Sequence, residues 1–450
     1  MLSNMDITNK HKPLSILVLM LLAYSLLNLP VINTLWRHSF DDGTYSHAYL
    51  IPLISLYLLY LVGNHQLIAF RDRPSLLAIG ATLSIALAYY VSVNAQMSLG
   101  YWLCFLFLGI SLVFNIFKFN KYLLFPLLYF VFLIPLWGSL TTPLQSLSVV
   151  AVSFMMSFTG IPVYVHAPYV EIPAGTFEIA HGCSGLRYVL TSLAISSLYV
   201  FLFIRDRKKA FIFFTLALLG GLITNWIRIT LLILIGHWTD MTHSLMNDHN
   251  HFGWYIFMPF MLLLFWFGNK IADFDFTRKF NKEASKLRLA ASCGVVVAVF
   301  AVLTSTTLAT LNSANGKHIV SLSAEKSEPF IKFYQDRVIS TTEDSTNIVY
   351  SFSASDLDNK PSYFENDIAP TGWRKVKELN AGTYLFRKNR KLATVQVQYQ
   401  LEEQYFNSKR DFKLARIKQG LTNNQNIKLH WKMNRCSSTN CINELASIQD

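Results

Sequence analysis

Charge is scarce in this chain. Only 15% of its 450 residues are Asp, Glu, Lys or Arg, against 52% hydrophobic, and the mean hydropathy is +0.33. That excludes an ordinary soluble globule and indicates a polytopic membrane protein. Acidic residues are the scarcer sign, 27 against 39 basic, for a net charge of +12. This excess does not imply nucleic acid, because much of it lies in short loops beside apolar runs, where basic residues orient a chain in a bilayer. No cleavable leader is evident: the first apolar run has no clear small-residue cleavage site and is expected to be a retained span. Internal repeats and low-complexity tracts are absent. Cysteine is rare, five in all.

Long apolar runs, by contrast, are plentiful. A bilayer crossing needs roughly 20 apolar residues, and such runs fall at about 14–32, 48–62, 75–93, 99–117, 122–138, 186–204, 210–236, 252–268 and 290–310. Basic residues flank alternate loops: Lys10 and Lys12, Arg71 and Arg73, Lys118 and Lys121, Arg205 to Lys209, then Lys270 to Arg288. Those loops are expected in the cytoplasm, which puts 33–47, 94–98, 139–185 and 237–251 outside. The stretch 143–159 is apolar, but a crossing there would invert every later loop. Gln145, Ser146, Ser148, Ser153 and Ser157 also dilute it. It is expected to lie at the outer interface or to enter partway.

Charge is unevenly spread: residues 1–311 hold 31 charged side chains and residues 312–450 hold 35. A soluble domain therefore follows the membrane domain. In the tail, Val395, Val397, Tyr399 and Leu401 alternate with Gln396, Gln398 and Gln400, and Ile427, Leu429, Trp431 and Met433 alternate with Lys428, His430 and Lys432. Both are strand patterns with one buried face. Residues 408–419 read as a helix that Gly420 ends. The expected organisation is an all-α polytopic membrane domain of eight spans over 1–273, a basic cytoplasmic linker over 274–289, a ninth span over 290–311, and an extracytoplasmic α+β domain over 312–450. Cys436 and Cys441 could pair in that compartment.

Three segments carry candidate chemistry. Cys183, in His181-Gly182-Cys183-Ser184-Gly185-Leu186-Arg187, stands between glycines where a long apolar helix begins. Thiols attack as thiolates, a form that helix N-termini favour, and opening N–H groups can hold an oxyanion. Cys104 and Cys293 sit inside apolar runs and read as small hydrophobes. Arg228 lies inside an apolar helix, roughly 13 Å below its outer end; an arginine at that depth faces a polar cavity or a partner. Asn225 shares its face three residues earlier. His249 and His251 precede Gly253-Trp254 at the start of the next span, and an imidazole can carry a proton from a thiol to a leaving amine. His237 and His243 share that loop, so spacing alone does not select one histidine. No H-x-x-x-H stands on a clear helix and Cys or Glu ligands are missing nearby, so neither metal nor cofactor is expected. Ser46 and His47, on the outer face before the second span, suit a capping loop as well as a substrate contact.

Together Tyr45-Ser46-His47, Gly182-Cys183-Ser184-Gly185, Asn225-Trp226-Ile227-Arg228 and Asp248-His249 with Phe252-Gly253-Trp254 resemble the exosortases and the related archaeosortases. The resemblance covers about residues 1–270. It implies a membrane cysteine peptidase or transpeptidase that cuts a C-terminal Pro-Glu-Pro-type sorting signal on membrane-anchored proteins at the outer face of the bacterial inner membrane. Cys183 would form an acyl-thioester, Arg228 would stabilise the transition state or donate a proton, and His249, four positions before Gly253, would be the base in preference to His251. His181, Ser184, Arg187, Asn225, Ser46 and His47 would support or bind substrate. The implied partners are the signal-bearing proteins, the lipid bilayer and exopolysaccharide machinery, and no nucleic acid. The tail looks like the accessory periplasmic domain associated with exosortases, on Gly372-Trp373 and the Val395–Tyr399 strand. A polysaccharide polymerase or flippase-like protein, which needs no cysteine at 183, and a non-catalytic sorting receptor are the alternatives.

Overall fold

The computed structural model describes residues 2–40, 45–166, 168–246, 249–277, 299, 328–342, 344–353, 356–389, 391–421 and 426–436. The linker and ninth span expected over 274–311 lie almost wholly outside these residues, as does Cys441 of the expected cysteine pair. The chain divides into two compact units: residues 1–19, 35–72 and 116–290 form one, and residues 20–34, 73–115 and 291–450 the other.

Helix α1 (Leu2–Leu27) and helix α2 (Leu29–Phe40) occupy the first apolar run but meet at a bend of 82°. The expected straight span over 14–32 is therefore corrected to a broken one. Pro30 lacks the N–H that would continue the ladder and disfavours helical geometry at Leu29, and the Asn28 amide turns back to donate to the Tyr24 carbonyl at 2.7 Å.

In the first unit, a 3-10 turn (Ser46–Tyr49) leads into α3 (Leu50–Asn64). In the second, α4 (Leu76–Asn94) and α5 (Ser98–Ile116) form a hairpin. The chain returns to the first unit with α6 (Lys121–Leu128), which passes through 3-10 turns at Tyr129–Leu133 and Pro135–Leu140 into α7 (Thr141–Met156). Three short antiparallel strands follow, β1 (Tyr164–His166), β2 (Tyr169–Ile172) and β3 (Gly175–Glu178). The long helices α8 (Leu186–Phe203), α9 (Arg207–Trp238) and α10 (His249–Ile271) complete the unit.

Seven helical stretches are long and apolar enough to cross a bilayer, or eight with the bent pair. They match the first eight expected spans with one exchange, the ninth lying outside the described residues. The run at 122–138 is broken: its helical part, Lys121–Leu133, is about 20 Å long, short of the roughly 30 Å hydrocarbon core. The stretch expected at the interface instead yields Pro135–Met156, 22 residues long with mean hydropathy 1.3. Pro135 explains the exchange, because it ends one helical turn and opens the next.

Helices α8 and α9 approach through small residues, as membrane helices do. A methyl group on Gly221 would lie 3.0 Å from Ser192 Oγ and 3.2 Å from the Tyr188 carbonyl. Beside them Phe213 and Ala217 of α9 pack with Phe257, Met261 and Leu264 of α10.

In the second unit, Thr82, Ser111 and Asn115 knit α4 to α5 by hydrogen bonds. Beyond residue 328 come β4 (Pro329–Phe330), β5 (Asp336–Thr341), β6 (Ser345–Phe352), β7 (Asp367–Pro370), β8 (Arg374–Asn380), β9 (Thr383–Lys388), β10 (Lys391–Leu401), β11 (Gln404–Phe406), α11 (Lys409–Lys418) and β12 (Ile427–Cys436). Six strands run β5-β6-β12-β10-β9-β8 with β11 on β10. The two alternating patterns are its adjacent central strands: Val395 faces Met433, Val397 faces Trp431 and Tyr399 faces Leu429, and all six side chains are buried on one face with Ile348, Tyr350 and Phe412. Ser408 caps α11. The tail is sheet-dominated with a single helix among its described residues.

The tail is fastened to the turn between α4 and α5. Arg416 on α11 donates to Gln96 Oε1 at 2.6 Å, Gln96 donates to the Asp356 carbonyl, and Lys360 Nζ donates to the Gln96 carbonyl at 3.0 Å and to Ser98 Oγ. Gln96, Lys360 and Arg416 are all buried. Burial pulls Lys360 down to about 7, the Asp358 charge opposing it.

Candidate active site

Cys183 ends a 3-10 turn (His181–Cys183) just before α8. The β1–β3 sheet delivers the chain to it. Val170, Ile172 and Ile179 are buried against Val149, Val152 and Met156 of α7 and Ile229 and Ile233 of α9, with Cys183 and Trp226 packed at the margin. The thiol is unoxidised and half-buried.

The backbone around Cys183 is tied down on both sides by polar side chains of apolar helices. From α9, Asn225 Nδ2 donates to the Cys183 carbonyl at 3.0 Å and to Ser148 Oγ at 3.3 Å. From α7, Ser148 donates to the Ser184 carbonyl at 3.2 Å and Gln145 to the Ile179 carbonyl at 2.5 Å. Ser148 and Asn225 are fully buried. The polar residues that dilute α7 thus hold the Cys183–Ser184 loop in place, a role the sequence did not reveal, because the partners are carbonyls more than 30 residues away.

Gly185 is required twice. Its φ of +90° opens α8 in the left-handed region, and a methyl group there would lie 2.9 Å from Asn225 Nδ2. Gly182 is exposed in the 3-10 turn, and a methyl group there would meet nothing within 4 Å, so the chain leaves open space at that position. The Cys183 N–H is already bonded to the Ala180 carbonyl at 2.8 Å, so backbone donors to an oxyanion would come from α8's opening turn, where the N-cap residue Gly185 has no side chain to occupy them. Ser184 is buried, its Oγ accepting from Leu186 N–H at 3.4 Å.

Arg228 follows Asn225 by three residues on α9 and is 2% exposed. Its guanidinium carbon lies 5.8 Å from the centre of the Tyr188 ring. Tyr188 is a site residue that sequence reading missed, being one more aromatic in an apolar helix. The close fit of Gly253 marks it: a methyl group on Gly253 would fall 1.7 Å from the Tyr188 hydroxyl and 3.1 Å from Arg228 Cδ. The first turns of α10 therefore press directly on the Arg228–Tyr188 pair. Position 249 lies one helical turn before Gly253, on the same side of α10, and position 251 faces away from it. The structure places His181 in the 3-10 turn and Ser46 in the turn before α3.

His47 reaches the same region. Its Nε2 is 3.2 Å from the Phe132 carbonyl, and Arg187 acts on it electrostatically. Tyr45 and Ala48 pack on Leu186 and Leu190 of α8. Cys183, Arg187, Asn225, Arg228 and the Ser46–His47 turn thus converge on the mouth of α8. His237 lies in the last turn of α9 and His243 on the loop that follows; His237 Nδ1 is a buried atom without a hydrogen-bond partner among the described residues.

Fold and site together define a multi-pass membrane protein with a half-buried cysteine at a helix mouth and, on the helix whose Asn225 bonds that cysteine's carbonyl, a buried arginine one turn further along. The family described as transmembrane exosortase matches residues 36–266, more than half of the chain, and the chain belongs to that family. No curated protein and no solved structure matches it. The matched stretch holds every site residue named above and leaves the tail outside.

Proposed function

We propose that the chain is an exosortase-type cysteine peptidase or transpeptidase that cleaves C-terminal sorting signals of membrane-anchored proteins at the outer face of the inner membrane. The observation that carries this is the latch of Asn225 and Ser148 on the Cys183–Ser184 backbone, with Arg228 one turn further along the same helix. A purely structural cysteine needs no such support from two other helices.

In the proposed reaction, the Cys183 sulfur attacks the carbonyl carbon of the scissile peptide bond. His249 takes the thiol proton and returns it to the departing amine as the C–N bond breaks. The oxyanion formed on attack is stabilised by the Arg228 guanidinium and the opening N–H groups of α8. Tyr188 orients Arg228, and Asn225 with Ser148 holds the nucleophile's loop. The resulting acyl-thioester is resolved by an acceptor amine or by water, whose attack regenerates the thiol. His249 is preferred to His251 because its position shares the side of α10 that Gly253 turns toward Arg228.

Placement at the outer face rests on basic residues in alternate loops. Exchanging a crossing at 122–138 for one at 135–156 leaves the number of crossings before Cys183 unchanged, so the side does not depend on which of the two spans. The substrates in this proposal carry a Pro-Glu-Pro-type motif, one span and a basic tail, and the acceptor belongs to surface or exopolysaccharide export. Co-expression with such a substrate tests it: Cys183→Ala and Arg228→Ala should abolish processing while the protein still inserts. Normal processing by Cys183→Ala would leave the sorting-receptor or polymerase alternatives standing.

A further inference from the structure

The tail sheet has a second face. Its register puts Asn380, Thr383, Gln396, Lys432, Asn347 and Ser340 in one row across six strands. At about 4.8 Å per strand the row runs roughly 24 Å. A parallel row holds Tyr405, Gln400, Lys428, Ser351 and Asp336, and between the two run Gln398 and His430 followed by the apolar Val349 and Val338 at the β6–β5 edge. Lys432, Asn347, Asn380 and Ser340 are exposed, and Tyr405 is 55% exposed.

Three observations give this face a ligand. Its chemistry is hydroxyl-matching: planar amides and an imidazole are held ready beside an aromatic ring. His430 and Gln400 are hydrogen-bonded at 2.7 Å, Gln398 donates to Asn407 at 3.1 Å, and the Tyr405 and His430 rings lie 5.7 Å apart. Its charge is mostly basic: among the described strand residues whose register puts them on this face, Lys428, Lys432, Lys377, Arg374 and Arg387 stand against the carboxylate of Asp336, and Arg374 sits directly opposite Arg387. Like charges opposite one another destabilise a sheet unless an anion lies between or over them. Lastly, the face points away from the membrane hairpin. Phe412 of α11 stacks on Tyr399 on the opposite face, and Arg416 of that helix grips Gln96 at the hairpin turn.

We propose that the face of the tail sheet opposite α11 binds an acidic polysaccharide laid across the strands. Its hydroxyls would be met by Gln396, Gln398 and Gln400, its carboxylates by Lys428 and Lys432, and one sugar face by Tyr405. This binding is independent of the thiol chemistry.

The test uses the full chain in detergent and polygalacturonate as the probe, with dextran, duplex DNA and anionic lipid vesicles as comparators. Polygalacturonate is expected to bind in preference to all three, and Cys183→Ala to bind as the parent does. Tyr405→Ala and the pair Gln396→Ala with Gln398→Ala should each weaken binding at least about tenfold, as should Lys428→Glu with Lys432→Glu, with thermal unfolding unchanged as the check on folding. Absence of polygalacturonate binding overturns the proposal. So does equal binding of DNA or vesicles, or full binding by the Tyr405 and glutamine variants, which would mean a solvated basic face and nothing more.

Discussion

Gly253→Ala puts the arrangement around Arg228 under direct strain. The new methyl carbon would lie 1.7 Å from the Tyr188 hydroxyl, 3.0 Å from Tyr188 Cζ and 3.1 Å from Arg228 Cδ. The hydroxyl must move, and the ring that stacks under the guanidinium moves with it. Overpacking of this kind costs about 1–3 kcal/mol. If the same displacement misplaces Arg228 in the transition state, kcat/KM falls by roughly 5- to 150-fold. Most of the conflict is with one oxygen atom, so Tyr188→Phe should remove most of the strain, and the two substitutions should couple favourably in a double-mutant cycle. Gly220→Ala is the matched control: its methyl group would strike Phe260 Cε2 at 1.9 Å in the α9–α10 packing, with no site residue among its nearest neighbours. The assay is thermal unfolding of the detergent-solubilised chain together with the rate of sorting-signal cleavage. Gly253→Ala should lose cleavage out of proportion to stability and regain both with Tyr188→Phe, while Gly220→Ala should lose stability alone. Equal stability of Gly253→Ala and the parent, or no rescue by Tyr188→Phe, would refute the reasoning.

Other outcomes follow from the same geometry. Asn225→Ala removes the buried donor to the Cys183 carbonyl, which should cost about 1–3 kcal/mol in stability and lower kcat more than it raises KM, measured by unfolding and steady-state cleavage. Between the two histidines, His249→Ala should abolish processing and His251→Ala should retain it; the reverse would move the base to position 251. The Lys360 ammonium is buried at the tail's attachment and pulled down to about 7 from 10.5. The detached lysine binds more protons between about pH 7 and 10.5, so attachment of the tail should strengthen as pH rises through that window and show no dependence on this group below it. Limited proteolysis between pH 7 and 9 measures this, and Lys360→Met should flatten the profile.

Much of the site was legible in the sequence because membrane helices conceal little. A glycine-flanked cysteine, an arginine and an asparagine stand out against apolar surroundings, and the structure brings Cys183, Asn225 and Arg228 to one place. The strands at 395–401 and 427–433 were equally plain, since a half-buried sheet writes period two into its residues. What was hidden depends on contacts distant in the chain. Ser148 and Gln145 read as polar dilution of an interfacial helix until their partners, the Ser184 and Ile179 carbonyls, are known. Tyr188 looks like one more aromatic until Gly253 is seen closed against its hydroxyl. The exchange of spans at Pro135 was missed because a hydropathy window averages over the proline that breaks the helix. The bend at Asn28 was missed for the same reason.

The central claim is that Cys183 forms a covalent acyl intermediate with the sorting signal. Its most direct test is to mix the Arg228→Ala and parent proteins separately with a signal-bearing substrate, quench at short times, and map adducts by peptide mass spectrometry. The account predicts a hydroxylamine-sensitive thioester on Cys183 in the parent and little or none in the Arg228 variant. Efficient cleavage with no adduct on Cys183, or an adduct on another residue, would contradict it.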